Sequence, residues 1–104
     1  MKLIIAVVQD MDWPGVTDAL VKRKFRVTRA SSTGGFLRRG NTTLLVGVED
    51  SMVESAIAII RDACKPREAY VAGLSADSAM DMPISVMVGG ATILVVNVER
   101  YERV

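Results

Sequence analysis

The sequence contains no histidine and a single cysteine, Cys64, and it is poor in aromatic residues, with one Trp, two Tyr and two Phe in 104 residues. Without imidazole there is no histidine general base, no histidine-containing triad and no histidine metal site. One cysteine forms neither an internal disulfide nor a multi-cysteine zinc site, and such usage fits a reducing, cytoplasmic setting. Aromatics at 5% are too few to build a stacking platform for single-stranded nucleic acid. No long hydrophobic run is present either. The apolar stretch at the start meets Gln9 and Asp10, too short for a membrane span, and no small-residue cleavage site follows it.

The most informative absence is local. No acid occurs between Ala19 and Val48, where Lys22, Arg23, Lys24, Arg26, Arg29, Arg38 and Arg39 supply seven positive charges. The net charge of +1 therefore conceals a basic belt in an otherwise acidic chain, whose remaining six bases face 12 acids. Half of the residues are hydrophobic and 24% are charged, the composition of one globular domain spanning residues 1–104.

Lys2–Gln9 is apolar at both alternating sets of positions, which predicts a strand buried on both faces. Asp12 is placed to cap a helix from Trp13 to Lys24, with Pro14 in its first turn and Val16, Ala19 and Leu20 at helical spacing. Phe25–Ala30 and Thr42–Val48 read as strands around a glycine-rich turn. Ser51 and Glu54 match a capping box, and Val53, Ile57, Ile60 and Cys64 form an apolar stripe that Lys65-Pro66 ends. Arg67–Ala72 reads as a short strand and Gly73–Met82 as an acidic loop. Pro83–Val88 and Thr92–Val98 then read as strands of a hairpin turning at Gly89-Gly90.

This order, βαββαβ with an extra C-terminal hairpin, predicts an α+β, ferredoxin-like sandwich. Two helices cover one face of such a sheet. Because Leu3–Val8, Leu44–Val48 and Ile93–Val98 are apolar on both faces, the second face calls for a cover, and a homo-oligomer is the expected source.

The chemistry concentrates in Thr33–Thr43, TGGFLRRGNTT. Gly34 and Gly35 let the backbone approach an anion, and Arg38 and Arg39 offer guanidinium partners for phosphate. Phe36 supplies a ring on which a base can stack, and Asn41 a carboxamide that both donates and accepts. Upstream, Arg26 and Thr28 share a strand face. These residues make up a nucleotide-site inventory; a glycine-rich hairpin with solvated arginines explains them as well.

The same segment resembles the signature loop of the PII-like cyclic di-AMP receptors. The likeness extends through Gln9-Asp10, Phe25-Arg26-Val27-Thr28, Gly47-Val48 and Val88-Gly-Gly-Ala-Thr92, in order along nearly the whole chain. It implies a homotrimer that binds cyclic di-AMP between neighbouring subunits, needs no cofactor, catalyses nothing and signals to a downstream protein. By the same resemblance Arg26 meets a phosphate, while Thr28, Asn41 and the backbone near Gly47 bond an adenine and its sugar. Gly35, Phe36 and Leu37 line the ligand. Two departures bear on the ligand. Lys24 stands where the family is expected to carry a polar amide, so it touches phosphate or weakens base reading. The loop over 73–82 is several residues shorter than the family's and lacks an aromatic.

Other readings are less well supplied. An acyl-phosphate hydrolase on this scaffold needs its phosphate loop after the first strand, where Asp10 and Asp12 repel phosphate. ATP or ADP in the same trimer remains the main alternative ligand. Cys64 belongs to the apolar stripe, and Trp13 is expected to pack at the sheet edge.

Overall fold

A computed structural model describes residues 1–30, 40–71 and 84–104, with no account of the Val71 and Ile84 side chains. Strand β1 (Lys2–Gln9) leads into helix α1 (Trp13–Lys22), followed by β2 (Val27–Ala30) and β3 (Asn41–Val48). A 3₁₀ turn (Asp50–Met52) introduces helix α2 (Val53–Ala63), and β4 (Arg67–Val71), β5 (Ile84–Val88) and β6 (Ala91–Asn97) complete the chain.

Four strands form one antiparallel sheet in the order β2-β3-β1-β6, while β4 and β5 pair as a separate two-stranded ribbon. The sheet order and the two helices are those of a ferredoxin-like fold. Its fourth strand, however, is β6 and not the Arg67–Val71 segment, and the C-terminal hairpin expected at Gly89-Gly90 is absent. Strand β5 pairs with β4, not with β6. The two glycines do have the positive φ of a tight turn, +98° and +84°. They use it to cross from ribbon to sheet against the end of α2. The Gly90 N–H donates to the Cys64 carbonyl at 2.6 Å. A β-carbon on Gly89 would lie 2.5 Å from the Lys65 carbonyl oxygen, so that crossing admits no side chain.

Residues directly opposite across a ladder share a face. Ile4, Ala6 and Val8 of β1 thus align with Val46, Leu44 and Thr42 of β3, and this set is buried beneath Val16, Leu20, Ala56 and Ile60 of the helices. The α2 stripe centres on Ala56, Ile60 and Cys64, with Val53 and Ile57 at its half-buried margin. The opposite face carries Leu3, Ile5 and Val7 of β1, Leu45 of β3, and Leu94 and Val96 of β6. No element of the described chain covers it, and Leu94 and Val96 remain 52% and 41% exposed.

The helix ends differ from the expected caps. Asp12 occupies the N-cap of α1 but makes no capping bond. Its buried carboxylate instead accepts from the Arg67 guanidinium at 2.7 Å, tying the start of β4 to the β1–α1 corner. The Ser51–Glu54 capping box does not form. The Met52 N–H donates to the Glu49 carbonyl in the 3₁₀ turn, which draws Ser51 into that turn and leaves Met52 at the N-cap. At the other end of α1, Phe25 N–H donates to the Leu20 carbonyl at 3.0 Å and Lys24 N–H to the Val21 carbonyl at 2.9 Å. This is a Schellman closure, and it places Lys24 in the left-handed region at φ 67°.

A lysine held there is strained by roughly 1 kcal/mol relative to glycine. Lys24→Gly is accordingly expected to stabilise the fold by about 0.5–1 kcal/mol. Gly89→Ala is expected to destabilise it by about 2 kcal/mol or more, through clash and positive φ together. Urea unfolding followed by circular dichroism checks both; a neutral Gly89→Ala would disprove the close crossing.

Candidate functional site

The β2–β3 register sorts the basic belt by face. Val27 pairs with Val46 and Arg29 with Leu44, both on the helix side; Thr28 pairs with Leu45 on the uncovered side. Arg29 is thereby removed from any phosphate site, since its guanidinium lies 4.4 Å from the centre of the Trp13 ring. Trp13 is half-buried at the sheet edge, as expected.

Arg26 sits just before β2 and lines an open cleft of about 380 Å³ with Lys24, Gly47 and Glu49. Arg23 joins them, so three cations meet one carboxylate there. A cleft with such a surplus attracts anions. The sequence pattern assigns Arg23 no ligand role beyond its place in the belt; its position at the C-cap of α1 is the signal that brings it to the cleft.

Gly47 lies within β3 opposite Leu3, on the uncovered face. It has no positive φ, and among the described residues a β-carbon there would meet nothing within 4 Å. Neither backbone conformation nor packing among those residues accounts for a glycine at the penultimate position of the strand, where it weakens the sheet.

Asn41 occupies the other end of β3, opposite Gln9 and on the same face. The Asp10 N–H donates to the Gly40 carbonyl at 2.8 Å, and the Thr42 hydroxyl donates to the Asp10 carboxylate. Both chain neighbours of Asn41 are thus held by one residue. A second pocket, of about 240 Å³, opens here between Gln9, Asn41, Gly90, Ala91 and Thr92. Asn41 and Gly47 lie six positions apart, about 20 Å of extended strand. One chain therefore brings together Lys24, Arg26 and Gly47, has Thr28 on the same face one strand position on, and leaves Asn41 at the far end. Gly35, Phe36 and Leu37 lie outside the described residues, as do Arg38, Arg39 and the 73–82 loop.

Cys64 is buried, and its thiol donates to the Ile60 carbonyl. Burial, reinforced by the charge of Asp12, pushes the thiol above its ordinary range, which keeps it protonated and unreactive.

The cyclic-di-AMP receptor family model matches residues 1–104. The chain belongs to that family. Its structure is also similar to the crystal structure of a functionally unknown protein from Pediococcus pentosaceus ATCC 25745. The two are 41% identical with a TM-score of 0.78, over 99% of this chain and 96% of the other. Membership of a receptor family accords with a binding protein that senses a signal. Among the described residues, no helix is long and apolar enough to cross a membrane.

The Asp10–Thr42 bond fixes the start of β3, so Thr42→Val and Asp10→Ala are each expected to cost about 1 kcal/mol of stability. The double variant should lose no more than either alone, because both remove the same bond. Additive losses in chemical denaturation would show that the two residues act separately.

Proposed function

We propose that this protein is a non-catalytic sensor of cyclic di-AMP, assembled as a homotrimer that holds the ligand in clefts between neighbouring subunits. The observation that carries this reading is Gly47. A glycine that nothing among the described residues requires, on an uncovered face beside Arg26, is suited to the close approach of something from outside. In this assignment Arg26 holds a phosphate and Thr28, Asn41 and the Gly47 backbone bond an adenine and its sugar. Gly35, Phe36 and Leu37 line and stack against the ligand. Lys24 adds charge to the phosphate side of the cleft.

The uncovered apolar face supports the assembly. Leu3, Ile5, Leu45, Leu94 and Val96 form a surface that a second copy can bury. The separation of Asn41 from Gly47 supports a shared site, since about 20 Å is farther than one nucleotide reaches and a neighbour can supply the missing end. Binding orders the loops that flank the cleft, and a downstream protein reads that order. A second ligand, ATP or ADP in the same trimer, is favoured by one observation, the third cation that Lys24 brings to the cleft.

A cyclic dinucleotide carries two negative charges, so its affinity is expected to fall with added salt. Arg26→Ala is expected to weaken binding by more than about 1 kcal/mol through loss of charge-assisted bonds. Gly47→Ala is expected to weaken it at least about tenfold while leaving the fold as stable or more so, since alanine suits a strand better than glycine. Arg61→Ala, on the exposed side of α2, should be neutral. Calorimetry with cyclic di-AMP, ATP and ADP reads all four proteins. No binding of cyclic di-AMP at tens of micromolar by the folded wild type sinks the ligand assignment.

A further inference from the structure

The corner pocket at Asn41 differs in kind from the cleft at Arg26. Among the described residues every side chain lining it is uncharged, whereas the cleft gathers Arg23, Lys24 and Arg26 against Glu49. Those side chains offer phosphate no charged partner. It suits a neutral group that hydrogen-bonds, and at about 240 Å³ it falls short of a whole ligand site, which typically spans about 300–1,000 Å³. It has the size and polarity of a subsite.

Gln9 gives that subsite a direction. Its Oε1 accepts from the Gly89 N–H at 2.8 Å. A backbone N–H only donates, so the carboxamide must present its oxygen to Gly89, and its amide group is left as the end available to a ligand. Asn41 stands directly across the ladder on the same face, with a carboxamide of its own. Thr92, which aligns with Val7 on that face, brings a hydroxyl. Carboxamides recognise a purine by pairing donor and acceptor with the complementary groups on its edge. A donor fixed by a structural bond discriminates better than a freely turning one, because it cannot invert to suit a different base.

We propose that the corner pocket is a base-reading subsite, in which Gln9 and Thr92 act beside Asn41 on the edge of a purine while the cationic cleft holds phosphate. This rests on the nucleotide-receptor reading above and adds to it two residues and a division of labour. Gln9 contacts the base through its amide, and Thr92 through its hydroxyl.

The test is calorimetry on the full chain with cyclic di-AMP and cyclic di-GMP. Gln9→Glu retains an oxygen for the Gly89 N–H but exchanges the donor for a negative charge, so Thr92→Val serves as its uncharged companion. Thr92→Val is expected to weaken cyclic di-AMP by about three- to tenfold, the worth of one hydrogen bond, and Gln9→Glu by at least as much. Both should also narrow the preference between the two dinucleotides, with melting temperatures unchanged. Thr92→Val should leave the salt dependence of binding intact, whereas Arg26→Ala should flatten it. If Arg26→Ala weakens binding while both corner variants bind as wild type, the subsite is refuted and the receptor reading stands. Equal loss for both dinucleotides likewise refutes base reading. If the folded wild type binds neither, the receptor reading fails and the subsite falls with it.

Discussion

The fold is governed by an imbalance of cover. Four strands present apolar side chains in two directions, and the described helices cover only one of them. On the helix side Ile4, Leu20, Leu44 and Ile60 are fully buried. The other side keeps large aliphatic groups against water, at roughly 25 cal/mol per Å² of unrealised burial. Its polar border is where the candidate ligand residues lie. Thr28, Asn41 and Gly47 share the uncovered face because strand alternation puts them there. The surface that calls for a partner and the residues that call for a ligand are two parts of one sheet.

The corner between β1 and α1 organises the rest. Within four residues, Gln9 holds Gly89, Asp10 holds Gly40 and Thr42, and Asp12 holds Arg67. Polar side chains at a strand end and a helix cap would ordinarily serve local turns. Here they reach across the molecule, to the base of the β2–β3 connection and to both strands of the ribbon at the end where Arg67 pairs with Val88. Asp12 illustrates the exchange: a cap bond to its own helix is given up for an ion pair, buried on the carboxylate side alone, with a residue 55 positions away.

Much of this was legible in the sequence. The double-faced apolar pattern of Lys2–Gln9 identified the central strand and its second apolar face. The run without acids located the cleft, although it could not say that Arg29 turns toward Trp13, because face is decided by register and not by proximity along the chain. The family was legible in the loop from Thr33 to Thr43. The ribbon was not. Gly89-Gly90 carries a strong hairpin signal, and only the carbonyls of Cys64 and Lys65 show that its positive φ serves a crossing. Ser51 and Glu54 had the spacing of a capping box, yet a 3₁₀ turn at Asp50 shifted the frame. Gln9 and Thr92 attracted no notice as ligand groups, since a strand-end amide and a strand threonine are unremarkable until a pocket joins them.

The length of β3 has a consequence for how such a receptor measures its ligand. In the proposed assembly, with Asn41 at one end of the strand and Gly47 at the other, the binding surface is completed only where copies meet. Ligand then stabilises the assembly by the same free energy with which the assembly enhances binding. The half-saturation point is therefore a property of the protein's own abundance as well as of the ligand, and a cell can retune its sensitivity by changing expression alone.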